Sequence, residues 1–174
     1  LLNKKMRKVY FFLAFVFINT IFAQEKTNYS RKDSLMGGFS KERTCYDVKH
    51  YTLNITLNPD QKFISGSNTI NFDVLKATRR IQVDSFANMQ VDSIIWNQQK
   101  LKYSREFNAV FVDFPNELTA ETSQSIQFYY SGNPLIAKRA PWDGGFVFTK
   151  DKQDRPWIGV AVQGTGASLW MPIK

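Results

Sequence analysis

The chain has 174 residues, 43% of them hydrophobic, and a formal net charge of +8 from 23 Lys and Arg against 15 Asp and Glu. That length and apolar content suit one compact domain with a sizeable core. With one cysteine (Cys45) and one histidine (His50), the sequence excludes an internal disulfide and a standard zinc site of two or three His with a carboxylate, and no G-x-S-x-G elbow stands ready to make His50 the base of a triad.

Lys4, Lys5, Arg7 and Lys8 precede an apolar run from Val9 to Phe22 that ends at Ala23, the pattern of a secretory signal peptide over residues 1–23 with cleavage after Ala23. The run is about 14 residues, short of the roughly 18 to 20 that span hydrocarbon, so no permanent membrane anchor is expected. No cysteine follows the cut to take a lipid, and the expected product is soluble, secreted or periplasmic. Leu1 and Met6 are both open as the true start. The signal carries four basic and no acidic residues, which leaves 19 against 15, or +4. Those charges are scattered, with tight pairs such as Arg79-Arg80 and Lys138-Arg139 but no longer basic run, so no nucleic-acid partner is expected.

Residues 24–44 are polar, contain Gly37-Gly38 and show neither helical nor alternating periodicity, which predicts a flexible, disordered leader. From residue 45 to 174 short alternating segments separated by turn residues predict an all-β domain, an antiparallel sandwich or saddle-shaped sheet. The strands expected are Asp47 to Leu57, closed by Asn58-Pro59-Asp60; Phe63 to Leu75, with Gly66 marking a bulge or a close backbone approach; Arg80 to Phe86; Met89 to Trp96; Leu101 to Arg105; Ala109 to Phe114; and Ser125 to Tyr130. Asn97-Gln98-Gln99-Lys100 fits a hairpin connection without glycine. After the break at Ser131-Gly132-Asn133-Pro134, a hairpin of Gly145 to Thr149 and Trp157 to Val162 turns through the charged Lys150 to Pro156. No stretch supports a long amphipathic helix.

Groups that could carry chemistry are few. His50 falls on the phase opposite Tyr51 and Leu53, as a surface strand histidine does. Asp151 and Asp154 sit in a Lys-rich turn, where charge keeps a loop in water. Trp142-Asp143-Gly144-Gly145 suits a tight turn with Trp142 packed back onto a sheet. Gly164-Thr165-Gly166 follows a strand but lacks the third glycine, the Lys-Ser/Thr and the following helix of a phosphate loop. Gln163 ends the apolar run Trp157 to Val162 beside this glycine turn. Its amide can offer a donor and an acceptor to a cleft, although residue chemistry alone favours an ordinary edge glutamine.

Several phrases taken together resemble one family. They are Tyr46-Asp47-Val48 with His50-Tyr51-Thr52-Leu53, Ile64-Ser65-Gly66-Ser67 leading into Ile70-Asn71-Phe72, and Tyr129-Tyr130-Ser131-Gly132. Ala140-Pro141-Trp142-Asp143-Gly144-Gly145-Phe146, Trp157-Ile158-Gly159-Val160 and the closing Gln163 to Pro172 continue the set, which is similar to the N-terminal domain of the aminopeptidase N and leukotriene hydrolase family of zinc metallopeptidases across residues 45–174. The resemblance implies a β domain set before a thermolysin-like catalytic domain, with the cleft between them. It implies zinc in the parent enzyme, a peptide substrate, and hydrolysis of the N-terminal peptide bond by a zinc-polarised water with a glutamate base. The family's G-x-M-E-N and H-E-x-x-H motifs are not in this chain and follow the matching segment in relatives, so the chain alone is expected to be inactive and to bind no zinc.

Gln163 matches the glutamine or glutamate with which the family lines the substrate side of the cleft, and the resemblance implies that its amide contacts the substrate's amino group or first carbonyl. Relatives often carry another polar residue two positions earlier, where this sequence has Ala161. The first expectation is therefore the N-terminal portion of an exported zinc aminopeptidase, partnered by a catalytic domain outside these 174 residues. The alternative is a non-catalytic β-sandwich binding or scaffold module.

Overall fold

The computed structural model describes residues 28–174; the expected signal peptide and the first residues of the leader lie outside them. The compact unit runs from Arg31 to Lys174. Among the described residues two short helices, α1 (Arg31–Gly37) and α2 (Lys41–Thr44), precede ten strands: β1 (Tyr46–Asn58), β2 (Phe63–Val74), β3 (Thr78–Asp84), β4 (Met89–Trp96), β5 (Gln99–Lys100), β6 (Lys102–Glu106), β7 (Ala109–Leu118), β8 (Ser123–Gly132), β9 (Gly145–Lys150) and β10 (Pro156–Ala161). A single turn of 3-10 helix at Ala167–Leu169 leads into the last residues.

All of the pairing between strands is antiparallel. One sheet has the order β1-β2-β8-β4-β5, a second the order β3-β7-β6, and β9 and β10 form a separate ribbon. The alternation foreseen along the chain supplies the core: Ile70 and Phe72 of β2, Ile126, Phe128 and Tyr130 of β8, and Ile94 of β4 meet Ile81 and Val83 of β3 and Val110 and Val112 of β7 in one cluster. Tyr46 and Phe72 pack edge to face at 5.2 Å, as do Trp96 and Phe114 at 5.4 Å. The expected all-β antiparallel architecture is thus present, as two sheets sharing a core.

Local chemistry explains the connections. In the turn after β1, Gln61 donates its N–H to Asn58 Oδ1 at 3.0 Å. Gly66 marks a close approach: φ is +153°, and a Cβ there would run into the carbonyl oxygen of Asn54 and the Cα of Ile55, its partner across the ladder. The register shift between β1 and β2 lies elsewhere, between Val48 and His50. Asn97 and Gln98 both take positive φ, 46° and 65°, which lets a two-residue loop join Trp96 to Gln99 without glycine. In the β9–β10 hairpin, Asp151 Oδ1 accepts the N–H groups of Gln153 and Arg155, so this carboxylate closes the turn that its neighbouring charges keep in water.

The segment Arg31–Thr44, part of the expected leader, carries the two short helices instead. Leu35 is buried, and its carbonyl accepts Gln82 Nε2 at 2.7 Å and Arg43 at 3.4 Å. Arg43 also pairs with Asp84. One buried leucine in a seven-residue helix leaves no periodicity to detect; the segment is held by side chains far away in sequence. Among the described residues no helix is long and apolar enough to cross a membrane.

Candidate functional site

The ribbon β9–β10 carries the candidate site at its end. Its last pair is Ala161 opposite Gly145, so the strand stops at Ala161 and Gln163 lies two residues beyond, in the turn Val162–Gly166. The carbonyl of Val162 accepts Gly166 N–H at 2.9 Å, Thr165 N–H at 3.2 Å and Thr165 Oγ1 at 3.3 Å. Gly164 and Gly166 both adopt φ +72°, the left-handed conformation glycine takes without strain. Gln163 stands exposed between them and Val162, and its amide makes no hydrogen bond among the described residues. The amide is therefore free to offer both N–H and C=O outward. The turn is no phosphate cradle, because Gly166 N–H is already committed to Val162 and only three residues of 3-10 helix follow.

A second loop, Leu135–Gly145, stands beside this turn. Ala137 N–H bonds Phe146 C=O and Phe146 N–H bonds Leu135 C=O, closing the loop at its base. At its tip the Asp143 carboxylate accepts Lys138 N–H at 2.8 Å and Arg139 N–H at 2.8 Å. Partial desolvation opposes ionisation of Asp143, but the N–H groups of Arg139, Lys138 and Asp143 itself, with the Arg139 charge, together outweigh it and hold the carboxyl below its ordinary value. Turning that carboxylate inward turns Trp142 outward: the indole is 74% exposed and does not pack back onto a sheet as expected. Gly144 lies against the side chain of Thr165, which brings the two loops into contact.

Because Asp143 has a lowered pKa in the fold, its contribution is complete above the ordinary carboxylate range, about pH 3.9, and is lost as pH falls through the lowered value. Followed by NMR, the Lys138 and Arg139 amides are expected to move together in a titration with a midpoint below that range. A midpoint at or above it contradicts the assigned hydrogen bonds.

The remaining candidates have structural places. His50 is exposed on β1, opposite Asn71. Cys45 is buried, desolvation pushes its thiol up, and its Sγ lies 3.6 Å from Glu42 O, which leaves it an inert thiol. Arg80 forms a two-pronged pair with Asp113 at 2.6 and 2.9 Å. A cavity of about 600 Å³ between α2 and β3 mixes Lys41, Lys76 and Arg79 with Glu42 and Glu117, and shares no lining residue with the Gln163 turn. Among the described residues no group of three His, Cys, Asp or Glu is placed to hold a metal ion.

Sequence reasoning missed the closing segment that follows the turn. Leu169 is fully buried, Trp170 packs edge to face on Phe146 at 6.0 Å, and Asn68 Nδ2 donates to Pro172 O at 2.7 Å. Asp84 and Ile173 exchange backbone hydrogen bonds of 2.6 and 2.9 Å, and Lys174 N–H reaches Tyr51 OH at 2.9 Å. The Lys174 ammonium sits 4.7 Å from the Tyr46 ring centre, where desolvation lowers its pKa. Beyond its share in the family resemblance the segment gave no sign of these contacts, because every one of these partners lies far away in sequence.

No family model matches the sequence, and no curated protein matches it. The solved structures do. An M1 zinc metallopeptidase from Deinococcus radiodurans aligns with a TM-score of 0.56 at 20% identity, covering 76% of this chain and 30% of its own. A mutant M1 zinc metallopeptidase from the same organism, bound to a Tyr-Ser-Ala substrate, aligns with a TM-score of 0.54 at 20% identity over 74% of this chain and 29% of its own. Native yeast LTA4 hydrolase aligns with a TM-score of 0.58 at 14% identity over 75% and 21%. The chain thus shares the fold of one part of these metallopeptidases and spans about 30% or less of their length.

Proposed function

We propose that this chain is the N-terminal β domain of an exported zinc-dependent aminopeptidase, in which residues 45–174 form one wall of the cleft and Gln163 contacts the substrate's amino-terminal end. The observation that carries the reading is that this glutamine, singled out by the family resemblance, stands exposed and unbonded at the end of the β9–β10 ribbon of a domain with the metallopeptidase fold. A peptide substrate is supported by the Deinococcus radiodurans relative that holds Tyr-Ser-Ala. Export is supported by the pattern of residues 1–23.

The described residues do not fit zinc, since no cluster of donors is present among them. In this reading the metal belongs to a catalytic domain outside these 174 residues. What the chain itself supplies is orientation. The Gln163 amide can accept from the substrate's ammonium group through Oε1 or donate to its first carbonyl through Nε2. Ala161, two residues earlier, closes the end of β10 with a methyl group and adds no second polar contact.

The test is kinetic and uses the full-length polypeptide. Gln163→Ala is expected to raise KM for an aminoacyl substrate by the worth of one hydrogen bond, about 0.5 to 3 kcal/mol. Unchanged efficiency returns Gln163 to a plain turn residue. A coding sequence that continues without G-x-M-E-N and H-E-x-x-H overturns the enzyme reading in favour of a non-catalytic module.

A further inference from the structure

We propose that Gly144 is a positioning residue that sets the place of Gln163 by acting through Thr165; this rests on the reading of Gln163 as a substrate contact. Within the turn Val162–Gly166 every hydrogen bond ends on the single acceptor Val162 O, from Thr165 N–H, Gly166 N–H and the Thr165 hydroxyl, and none holds Gln163 or Gly164. Gly164 and Gly166 have open space around the positions their Cβ atoms would take, and the Gln163 amide is unbonded. Two left-handed glycines flanked by space make a backbone with many alternatives. Thr165 is the exception. Its hydroxyl returns to Val162 O within the turn, and its side chain stands against Gly144 outside it.

Gly144 is itself held on both sides. Before it, the Asp143 carboxylate is tied to the amides of Lys138 and Arg139. After it, Gly145 is paired with Ala161 and takes φ +150°, where a Cβ would strike Ile136 and Ala137. The laced loop therefore presents a fixed stop, and Thr165 rests on it. The fit leaves no room for a methyl group: a Cβ on Gly144 would lie 2.8 Å from Thr165 Cγ2 and 2.9 Å from its Cβ, and closer still to Oγ1. Gly144 is not among the positive-φ residues, so alanine there adds bulk without left-handed backbone strain. The glycine is required by Thr165 and not by its own backbone.

A glutamine held in place before substrate arrives does not have to be ordered on binding. In the full-length protein, Gly144→Ala is expected to raise KM by about five- to thirtyfold, the cost of ordering one residue, with kcat retained. Hydrogen exchange followed by mass spectrometry is expected to show faster exchange at residues 163–166 with an unchanged melting temperature. Thr165→Ala removes the Oγ1 and Cγ2 contacts without adding bulk or a third glycine and is expected to give the same two changes, and the double variant no more than either single one. Unchanged exchange in the turn of both variants overturns the proposal. So does faster exchange spread over both sheets with a lowered melting temperature, which marks Gly144 as merely structural. Should Gly144→Ala not fold, Thr165→Ala alone decides by the same readings. If exchange in the turn rises while Gln163→Ala leaves KM untouched, positioning of the turn stands and the substrate contact is what fails.

Discussion

Asp84→Ala is expected to destabilise the fold by about 3 to 5 kcal/mol, the cost of leaving a buried charge without its partner. Asp84 ends β3 with 6% of its side chain exposed, and the Arg43 side chain paired with it is 17% exposed. One carboxylate oxygen takes the guanidinium and the other takes Gln82 Nε2 at 2.8 Å. Gln82 Nε2 and Arg43 in turn hold the Leu35 carbonyl, so removing one carboxylate loosens the whole attachment of α1 and α2. Urea unfolding should show the loss as a lowered midpoint at constant slope, with faster exchange in Arg31–Thr44. Replacing both partners, Arg43→Met with Asp84→Leu, should recover most of the loss, because no uncompensated charge remains. A single-variant loss below about 1 kcal/mol would mean that water reaches the pair and screens it as at a surface.

That attachment marks where sequence reasoning stops. Strands such as β2 and β8 are legible because each alternates apolar and polar side chains over a span long enough to declare a buried face. A turn within Asn97-Gln98-Gln99-Lys100 is legible because a short link between two alternating segments has few alternatives, but its bounds are not, since Gln99 and Lys100 pair with β4 as β5 and leave Asn97-Gln98 as the loop. Gln163 is legible as a feature because a polar amide after six residues of apolar strand and before two glycines is locally odd. The helices at Arg31–Thr44 are not legible, since Leu35, Arg43, Gln82 and Asp84 are unremarkable alone and acquire meaning only when β3 brings them together. The contact of Gly144 with Thr165 belongs to the same class. Nothing local distinguishes a glycine required for its own backbone from one required by a neighbour, and Trp142, expected to cover a sheet, faces outward because Asp143 had nearer donors.

Deleting Ala167–Lys174 is expected to remove cooperative unfolding altogether, the largest effect of any change considered. Leu169 is fully buried in the core cluster, where losing a leucine side chain costs about 2 to 5 kcal/mol. Asn68 Nδ2 would lose Pro172 O, and its Oδ1 already has no protein partner, leaving a buried amide without any bond. Asp84 would lose both backbone bonds to Ile173, beside the ion pair that holds α2. Buried polar groups orphaned at about 1 to 3 kcal/mol each, added to the leucine, consume a stability that for most domains totals about 5 to 15 kcal/mol. Circular dichroism should then record a broad, shallow melt in place of a sigmoid, and limited proteolysis should cut within β3 and β7. Leu169→Ala, which keeps the segment, should melt cooperatively but at lower temperature. A truncated chain that melts as sharply as the intact one would mean the segment is laid over a finished domain. The Gln163 turn runs from the end of β10, where Ala161 pairs with Gly145, into this segment, so both of its ends are anchored, and between them the bonds to Val162 O and the stop that Gly144 presents to Thr165 set its path.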